Sequence, residues 1–197
     1  YAGDLTSTFP VSTTFTQQQK HIYAVQQAAH IAAVNTLGPG VPNRDVHFAA
    51  ARATAEGLKA LGLMKGDVED ALQAGAHALF FPHGIGHMMG LDVHDMEDLG
   101  ENYVGYDGET RSTQFGLKSL RLAKPLQPGF VLTIEPGVYF IPQLIDLWRE
   151  KDLHSDFLNY DEIEKWKNFG GIRNEEDYLI TETGKKLLGK KKPMSVD

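Results

Sequence analysis

Apolar and polar positions follow two different rhythms along this chain. Through the first third they recur every three to four residues. Ile22, Val25, Ala29, Ala32 and Ala33 fall on one face of a helix that starts after Thr16, and Gln19 stands at capping-box distance from that threonine. Gly38-Pro39-Gly40 stops this helix. A second helix is predicted from near Asn43 to Leu61, with Val46, Ala50, Ala53 and Leu61 on its apolar face and Gly62 as its end signal. A third, short one is predicted from Asp67 to about Gln73. Elsewhere the rhythm is two, or none. Residues 5–11 (LTSTFPV) are β-branched and aromatic and read as a strand ending near Pro10. Residues 130–141 (FVLTIEPGVYFI) read as two strands broken at Pro136-Gly137, and residues 171–181 as a last strand. The glycine-rich stretch 79–100 predicts loops and short strands, and the acidic, aromatic stretch 142–168 predicts helix and loop. Helices come early and strands late, so the fold class is α+β.

Composition narrows the function classes. The 197 residues are 42% hydrophobic and 23% charged, ordinary for one globular domain. The formal net charge of -7 argues against nucleic acid as a partner, because phosphate binding needs a basic face. No apolar run approaches the roughly 20 residues a membrane-spanning helix needs. There is no cysteine, which excludes disulfides, thiolate metal sites and cysteine nucleophiles. The chain opens on Tyr1 without a signal-like leader, and it reads as a piece of something longer, expected in the cytoplasm. Lys185, Lys186, Lys190, Lys191 and Lys192 near the end read as a solvated basic tail, with a partner site as the alternative.

Candidate chemistry gathers in four segments. Three of the eight histidines, His83, His87 and His94, fall within 12 residues in PHGIGHMMGLDVHD. Random placement would put about half of one there. Pro82, Gly84 and Gly86 disfavour a helix, so these rings sit on tight backbone, as metal-site or as hydrogen-bonded structural residues. In TIEPG, alternation sets Leu132 and Ile134 on one strand face and Thr133 and Glu135 on the other. A carboxylate in such a run is costly unless its face is wet or it meets a positive partner. In GIRNEEDYLIT, Arg173, Glu175 and Asp177 share a face; Glu175 is either an ion-pair partner of Arg173 or a metal ligand that Arg173 orients. In YAGDLTSTFP, Asp4 is a turn residue or a ligand. Together these segments supply an oxygen-rich donor set with one imidazole, which suits Mn, Co, Zn or Fe rather than Cu. So many carboxylates favour two metal ions over one.

These motifs, YAGDLTSTFPV, FFPHGIGHMMGLDVHD, VLTIEPGVYF and FGGIRNEEDYLIT, resemble in order the signatures of the pita-bread metallopeptidases, from Tyr1 to about Gly184. That family includes methionine aminopeptidases, Xaa-Pro aminopeptidases and prolidases. SLRLAKPLQPGFVLTIEPGVYFI and the insertion before FGGIRNEED look most like the prolidase version.

The resemblance implies a set of roles. Asp4, His87, Glu135 and Glu175 would be metal ligands for two divalent ions, manganese first, with Co, Zn or Fe as alternatives. His83 and His94 would line the site and stabilise the tetrahedral intermediate, and Glu175 or a bridging carboxylate would take a proton from the attacking water. Arg121 would hold the C-terminal carboxylate of a dipeptide, through the two parallel hydrogen bonds a guanidinium offers. Arg173 would stand beside the last glutamate, and His94 would also contact substrate. The implied activity is hydrolysis of the Xaa-Pro bond in dipeptides; the alternatives are an Xaa-Pro aminopeptidase on longer peptides and an inactive binding module. The implied fold is the pita-bread fold, incomplete at its N-terminal side. Residues 1–184 would be the C-terminal part of the catalytic domain and 185–197 the basic tail; the family's N-terminal domain and first aspartate ligand lie upstream of Tyr1. Members of the family are often dimers, so a homodimer is among the partners to test.

Overall fold

A computed structural model describes residues 1–194 and 196. Two long helices come first, α1 (Gln17–Thr36) and α2 (Asn43–Ala60), then a short α3 (Val68–Ala74). The predicted capping box is formed: Gln19 N–H donates to the Thr16 hydroxyl, and Thr16 N–H donates to Gln19 Oε1. Asp67 caps α3 by accepting from the N–H groups of Glu69 and Asp70. The helices pack face to face through Ile22, Val25 and Ala29 of α1 and Val46, Ala50 and Leu58 of α2, all buried. Gly57 permits the approach, since a Cβ there would lie 2.8 Å from a Val25 methyl. Of the predicted apolar positions, Ala32, Ala53 and Leu61 are only half-buried.

The strands are β1 (Met88–Met89), β2 (Val131–Ile134), β3 (Gly137–Phe140), β4 (Gly170–Arg173), β5 (Glu176–Thr181) and β6 (Gly184–Leu187). A one-turn α4 (Glu101–Val104) follows β1, and α5 (Pro142–Glu150) and α6 (Tyr160–Glu164) fill the segment between β3 and β4. One antiparallel sheet has the order β1-β2-β5-β6, and β3 pairs with β4 in a second. Leu132, Ile134, Ile172 and Ile180 join the helices in one core.

Three expectations change here. The strand expected over 171–181 is two strands in two sheets, parted at Asn174-Glu175. Asn174 turns its side chain inward instead of extending the ladder: its amide N–H donates to Gln26 Oε1 of α1 (2.7 Å), and its Oδ1 accepts from Thr8 N–H. The strand expected over 5–11 is a single bridge, Thr6 to Glu175, because Thr8 gives its N–H to the Asn174 side chain and its hydroxyl to the Arg173 carbonyl instead of extending the ladder; Leu5, Phe9 and Val11 stay exposed. The basic tail is not free. Lys185 and Lys186 belong to β6, paired with Ile180 and Leu179, and Lys192 is half-buried. The remainder of that expectation, at Ser195 and Asp197, lies outside the described residues.

Candidate metal centre

Both chain passages from one sheet to the other happen at the same level. β2 gives way to β3 at Glu135-Pro136, and β4 to β5 at Asn174-Glu175, with Ile134 paired to Glu176 and Gly137 to Arg173. Glu135 and Glu175 therefore emerge side by side where neither ladder claims their backbone. The buried Gln26 side chain serves both breaks, donating to the Pro136 carbonyl (2.9 Å) while accepting from Asn174. No motif pointed to Gln26, although its place on the apolar face of α1 was a signal, since a buried amide needs partners.

His87 reaches the same place from the other side. Its segment runs along β2, with Thr133 N–H donating to the His87 carbonyl and Glu135 N–H to the Ile85 carbonyl. Gly86 makes this possible: a Cβ there would lie 2.0 Å from the Thr133 carbonyl oxygen. The Thr133 hydroxyl accepts from His87 N–H (3.0 Å) and donates to Glu135 Oε1 (3.2 Å), so one side chain positions two candidate ligands. Asp4 enters on the segment bridged to Glu175; its N–H donates to Asp177 Oδ2, and Thr6 Oγ1 donates to Glu175 Oε2 (2.6 Å).

The four residues form one constellation. His87 Nε2 lies 3.4 Å from Asp4 Oδ2 and 3.6 Å from Glu135 Oε1. Donor atoms of His87, Glu135 and Glu175 fall within 4.8 Å of one another, as do those of Asp4, His87 and His94. The cleft around them holds about 750 Å³ and is also lined by His83, Arg121 and Arg173.

Hydrogen bonds sort the three histidines. His87 Nδ1 lies 3.0 Å from the Met88 carbonyl, which only accepts, so the proton sits on Nδ1 and Nε2 presents a lone pair to the carboxylates. His94 is the reverse. Arg121, which only donates, is 2.8 Å from His94 Nδ1, so the ring proton sits on Nε2. His94 is thus set to donate and His87 to ligate, with ring centroids 4.1 Å apart. His83 departs from the donor role the resemblance implies. Its Nδ1 donates to the Gly84 carbonyl (2.7 Å), its Nε2 accepts from the Tyr139 hydroxyl (3.2 Å), and burial holds its pKa down at about 4. A neutral ring so tied has no proton left for a substrate oxygen. Tyr139 was not foreseen, although alternation from Glu135 through Gly137 sets it on the same face.

Arg121 does not present a free fork. Besides His94 it donates to Glu97 Oε1 at 2.7 Å, and nothing in the sequence pattern singled out Glu97. Arg173 stands 3.8 Å from Glu135 and 3.9 Å from Glu175, beside both carboxylates. It does not neutralise the cluster. Burial, and next the charge of Glu175, push the Glu135 carboxyl up to about 7, against which Arg173 pulls down. Three carboxylates with an imidazole lone pair among them is a donor set that fits a divalent cation, for want of positive charge as much as by ligand type.

The chain belongs to metallopeptidase family M24, whose sequence model matches residues 1–182. Among curated relatives it is similar to the Xaa-Pro dipeptidases of Mus musculus (41% identity) and Homo sapiens (40%), each over 188 residues, which are 95% of this chain and 37% of that protein. It is 36% identical to a probable Xaa-Pro aminopeptidase of Botryotinia fuckeliana, over 93% of this chain and 38% of that one. The chain spans little more than a third of the length of these relatives. Among solved structures it superposes on aminopeptidase PepP of Pseudomonas aeruginosa (TM-score 0.70, 30% identity, 95% of this chain and 35% of that one). It also superposes on zinc-substituted E. coli aminopeptidase P in complex with product (TM-score 0.69, 34% identity, 95% and 34%). The fold is the pita-bread fold of these peptidases, of which this chain carries part. Among the described residues no helix is long and apolar enough to cross a membrane.

Proposed function

We propose that this chain carries most of the active centre of an Xaa-Pro peptidase that uses two divalent ions, manganese first among them, and acts on dipeptides. The observation that carries the reading is the convergence of Asp4, His87, Glu135 and Glu175 from four separate segments, with the Nε2 lone pair of His87 turned to the carboxylates. These four residues would hold the ions. Bound there, the ions supply a water acidified enough to deprotonate near neutral pH and polarise the substrate carbonyl.

The chain's own groups account for the other requirements. Glu175 keeps Oε2 tied to Thr6, which leaves Oε1 for a ligand or for the proton of the attacking water. His94 Nε2–H donates to the carbonyl oxygen as it gains charge, and Arg121 holds the tautomer that makes this donation possible. His83, held from behind by Tyr139, forms a fixed wall of the cleft. Arg173 offsets part of the carboxylate charge and orients Glu135 and Glu175. The prolyl nitrogen of the scissile bond has no hydrogen, so pocket shape rather than backbone readout must select proline.

A second reading, action on longer Xaa-Pro peptides, has an observation of its own. Arg121 is already engaged by Glu97 and His94, and a dipeptide carboxylate would have to displace Glu97. Hydrolysis of Gly-Pro and of Gly-Pro-Ala by the Mn²⁺-loaded protein, wild type and Arg121→Ala, separates the two. For a dipeptidase the variant raises KM for Gly-Pro about thirtyfold or more, the cost of a lost charge-assisted pair, and leaves KM for the tripeptide unchanged, while kcat falls alike on both because His94 loses its partner. An equal effect on KM for both substrates takes Arg121 out of carboxylate binding and favours the second reading.

A further inference from the structure

Lys192 belongs to a run of lysines that the metal centre leaves unexplained. Lys190 and Lys191 are exposed. Lys192 instead turns back under the Asp4 segment, where its ammonium donates to two backbone carbonyls, that of Thr6 at 2.6 Å and that of Glu175. Its own N–H donates to Glu176 Oε1 at 3.4 Å, which holds the lysine backbone against β5. Thr6 and Glu175 are the two partners of the isolated bridge that joins the Asp4 segment to the rest of the fold. The Thr6 carbonyl therefore receives two donors, Glu175 N–H (2.9 Å) and the ammonium. The Glu175 carbonyl sits at the break between β4 and β5, outside both strands.

The Asp4 segment needs such a tie. Apolar burial does not hold it, since Leu5, Phe9 and Val11 are exposed. A metal centre tolerates about 0.5 Å of error in ligand placement. Asp4 and Glu175 lie 171 positions apart in sequence, on segments that share one backbone bridge and otherwise meet through side-chain bonds of Thr6, Thr8, Asn174 and Asp177. A compact ammonium with three donors can hold carbonyls from two segments at once, which a single backbone bridge cannot do.

We propose that Lys192 is a positioning residue that clamps the Asp4 segment to Glu175 and thereby sets the spacing of two metal ligands. The inference rests on the reading of Asp4 and Glu175 as ligands. Co²⁺ affinity, measured by competition with a chelating dye, and the visible absorption band of bound Co²⁺ test it on the whole chain. Lys192→Met is expected to weaken Co²⁺ binding about tenfold or more and to alter the band, while Lys190→Met leaves both unchanged. Lys192→Arg, which keeps donors enough for both carbonyls, is expected to recover part of the loss. Wild-type affinity and band in Lys192→Met overturn the clamp, and so does a failure of wild type and variant alike to take up Co²⁺.

Hydrogen exchange on the metal-free chain guards against a variant that is simply unstable. The Glu175 amide is expected to exchange faster in Lys192→Met while amides of α1 and α2 do not; acceleration across the whole chain overturns the proposal. Glu175→Gln separates the two levels of argument. If it keeps wild-type affinity, the ligand reading fails. If it loses metal and Lys192→Met does not, only the clamp fails.

Discussion

Six of the eight histidines form two groups that residue type alone cannot tell apart. In the cleft, His83, His87 and His94 each have Nδ1 tied, to the Gly84 carbonyl, the Met88 carbonyl and Arg121 in turn. In the interior, His30, His47 and His77 are at least as deeply buried, and neither ring nitrogen of any of them has a hydrogen-bond partner among the described residues. His30 comes within 3.3 Å of Glu176 Oε2, out of line for a bond. His47 packs its ring against Phe48, Phe81 and His77. In the first group a fixed partner on one nitrogen decides what the other can do: ligate in His87, donate in His94, accept in His83. In the second group burial is the largest influence and pushes each pKa down, with His47 at about 3 and His77 at about 4, while at His30 the Glu176 carboxylate pulls the other way. What sets the cleft histidines apart is the tether, not the clustering or the burial.

The sharpest way to break this comparison is to remove one tethered ring. His87→Leu is expected to lower Mn²⁺ or Co²⁺ affinity about a hundredfold or more, because the lone pair facing Asp4 and Glu135 is gone. Chelator competition reads this directly. Wild-type affinity in that variant would remove His87 from the donor set and leave the two groups equivalent.

A smaller effect should appear in the second group as pH falls. His77 titrates at about 4 in the folded chain and near its ordinary 6.5 when unfolded. The unfolded chain therefore binds more protons between these values. The stabilisation from keeping His77 neutral is complete above about 6.5 and is lost as pH drops toward 4, by up to about 1.4 kcal/mol per pH unit. In the metal-free chain Glu135 opposes this trend, since its folded pKa is raised and it takes up a proton between about 7 and its ordinary range. The clean observable is thus a difference. Urea unfolding of His77→Leu between pH 6.5 and 4.5 should lose stability less steeply than wild type, by close to one proton. Parallel curves would mean that this ring is not held neutral by burial.

How much of this was legible beforehand follows from the kind of interaction involved. Periodicity located α1 and α2 because their stripes are set by local geometry, and the capping box at Thr16 and Gln19 is likewise local. Strand alternation put Thr133 with Glu135, and Arg173 with Glu175, on shared faces, and those pairs do touch. The break at Asn174-Glu175 was not legible, because it depends on Gln26, 148 positions away, accepting from the Asn174 side chain. The engagement of Arg121 by Glu97 and the docking of Lys192 are equally products of tertiary placement. The tautomers of His83, His87 and His94 depend on which backbone carbonyl or arginine each ring meets. The residues that converge on the cleft could therefore be named from motifs, while the direction of each proton could not.

The least disruptive substitution sharpens the comparison most, since it asks whether the untethered rings do anything polar at all. His47 is fully buried, and both of its nitrogens lack partners among the described residues. A desolvated, unpaired polar group costs about 1–3 kcal/mol. Replacement by leucine removes that cost while roughly keeping the volume. Against it stand the loss of ring contact with Phe81, at 5.1 Å between centroids, and an imperfect fit of a branched side chain in a flat slot, usually under about 1.5 kcal/mol. The two terms nearly offset, so His47→Leu at pH 7 is expected to leave stability within about 1 kcal/mol of wild type, on the stabilising side, with metal affinity unchanged. Urea unfolding and the same chelator competition check both halves. A loss beyond about 2 kcal/mol that His47→Gln shares would mean that the slot rejects any shape but the ring. A loss of that size that His47→Gln, which can still bond, largely recovers would mean that the His47 nitrogens are bonded, to an ordered water for example. His47 would then join the tethered group, and a second polar network would have to be sought between α2 and the segment that carries His77 and Phe81.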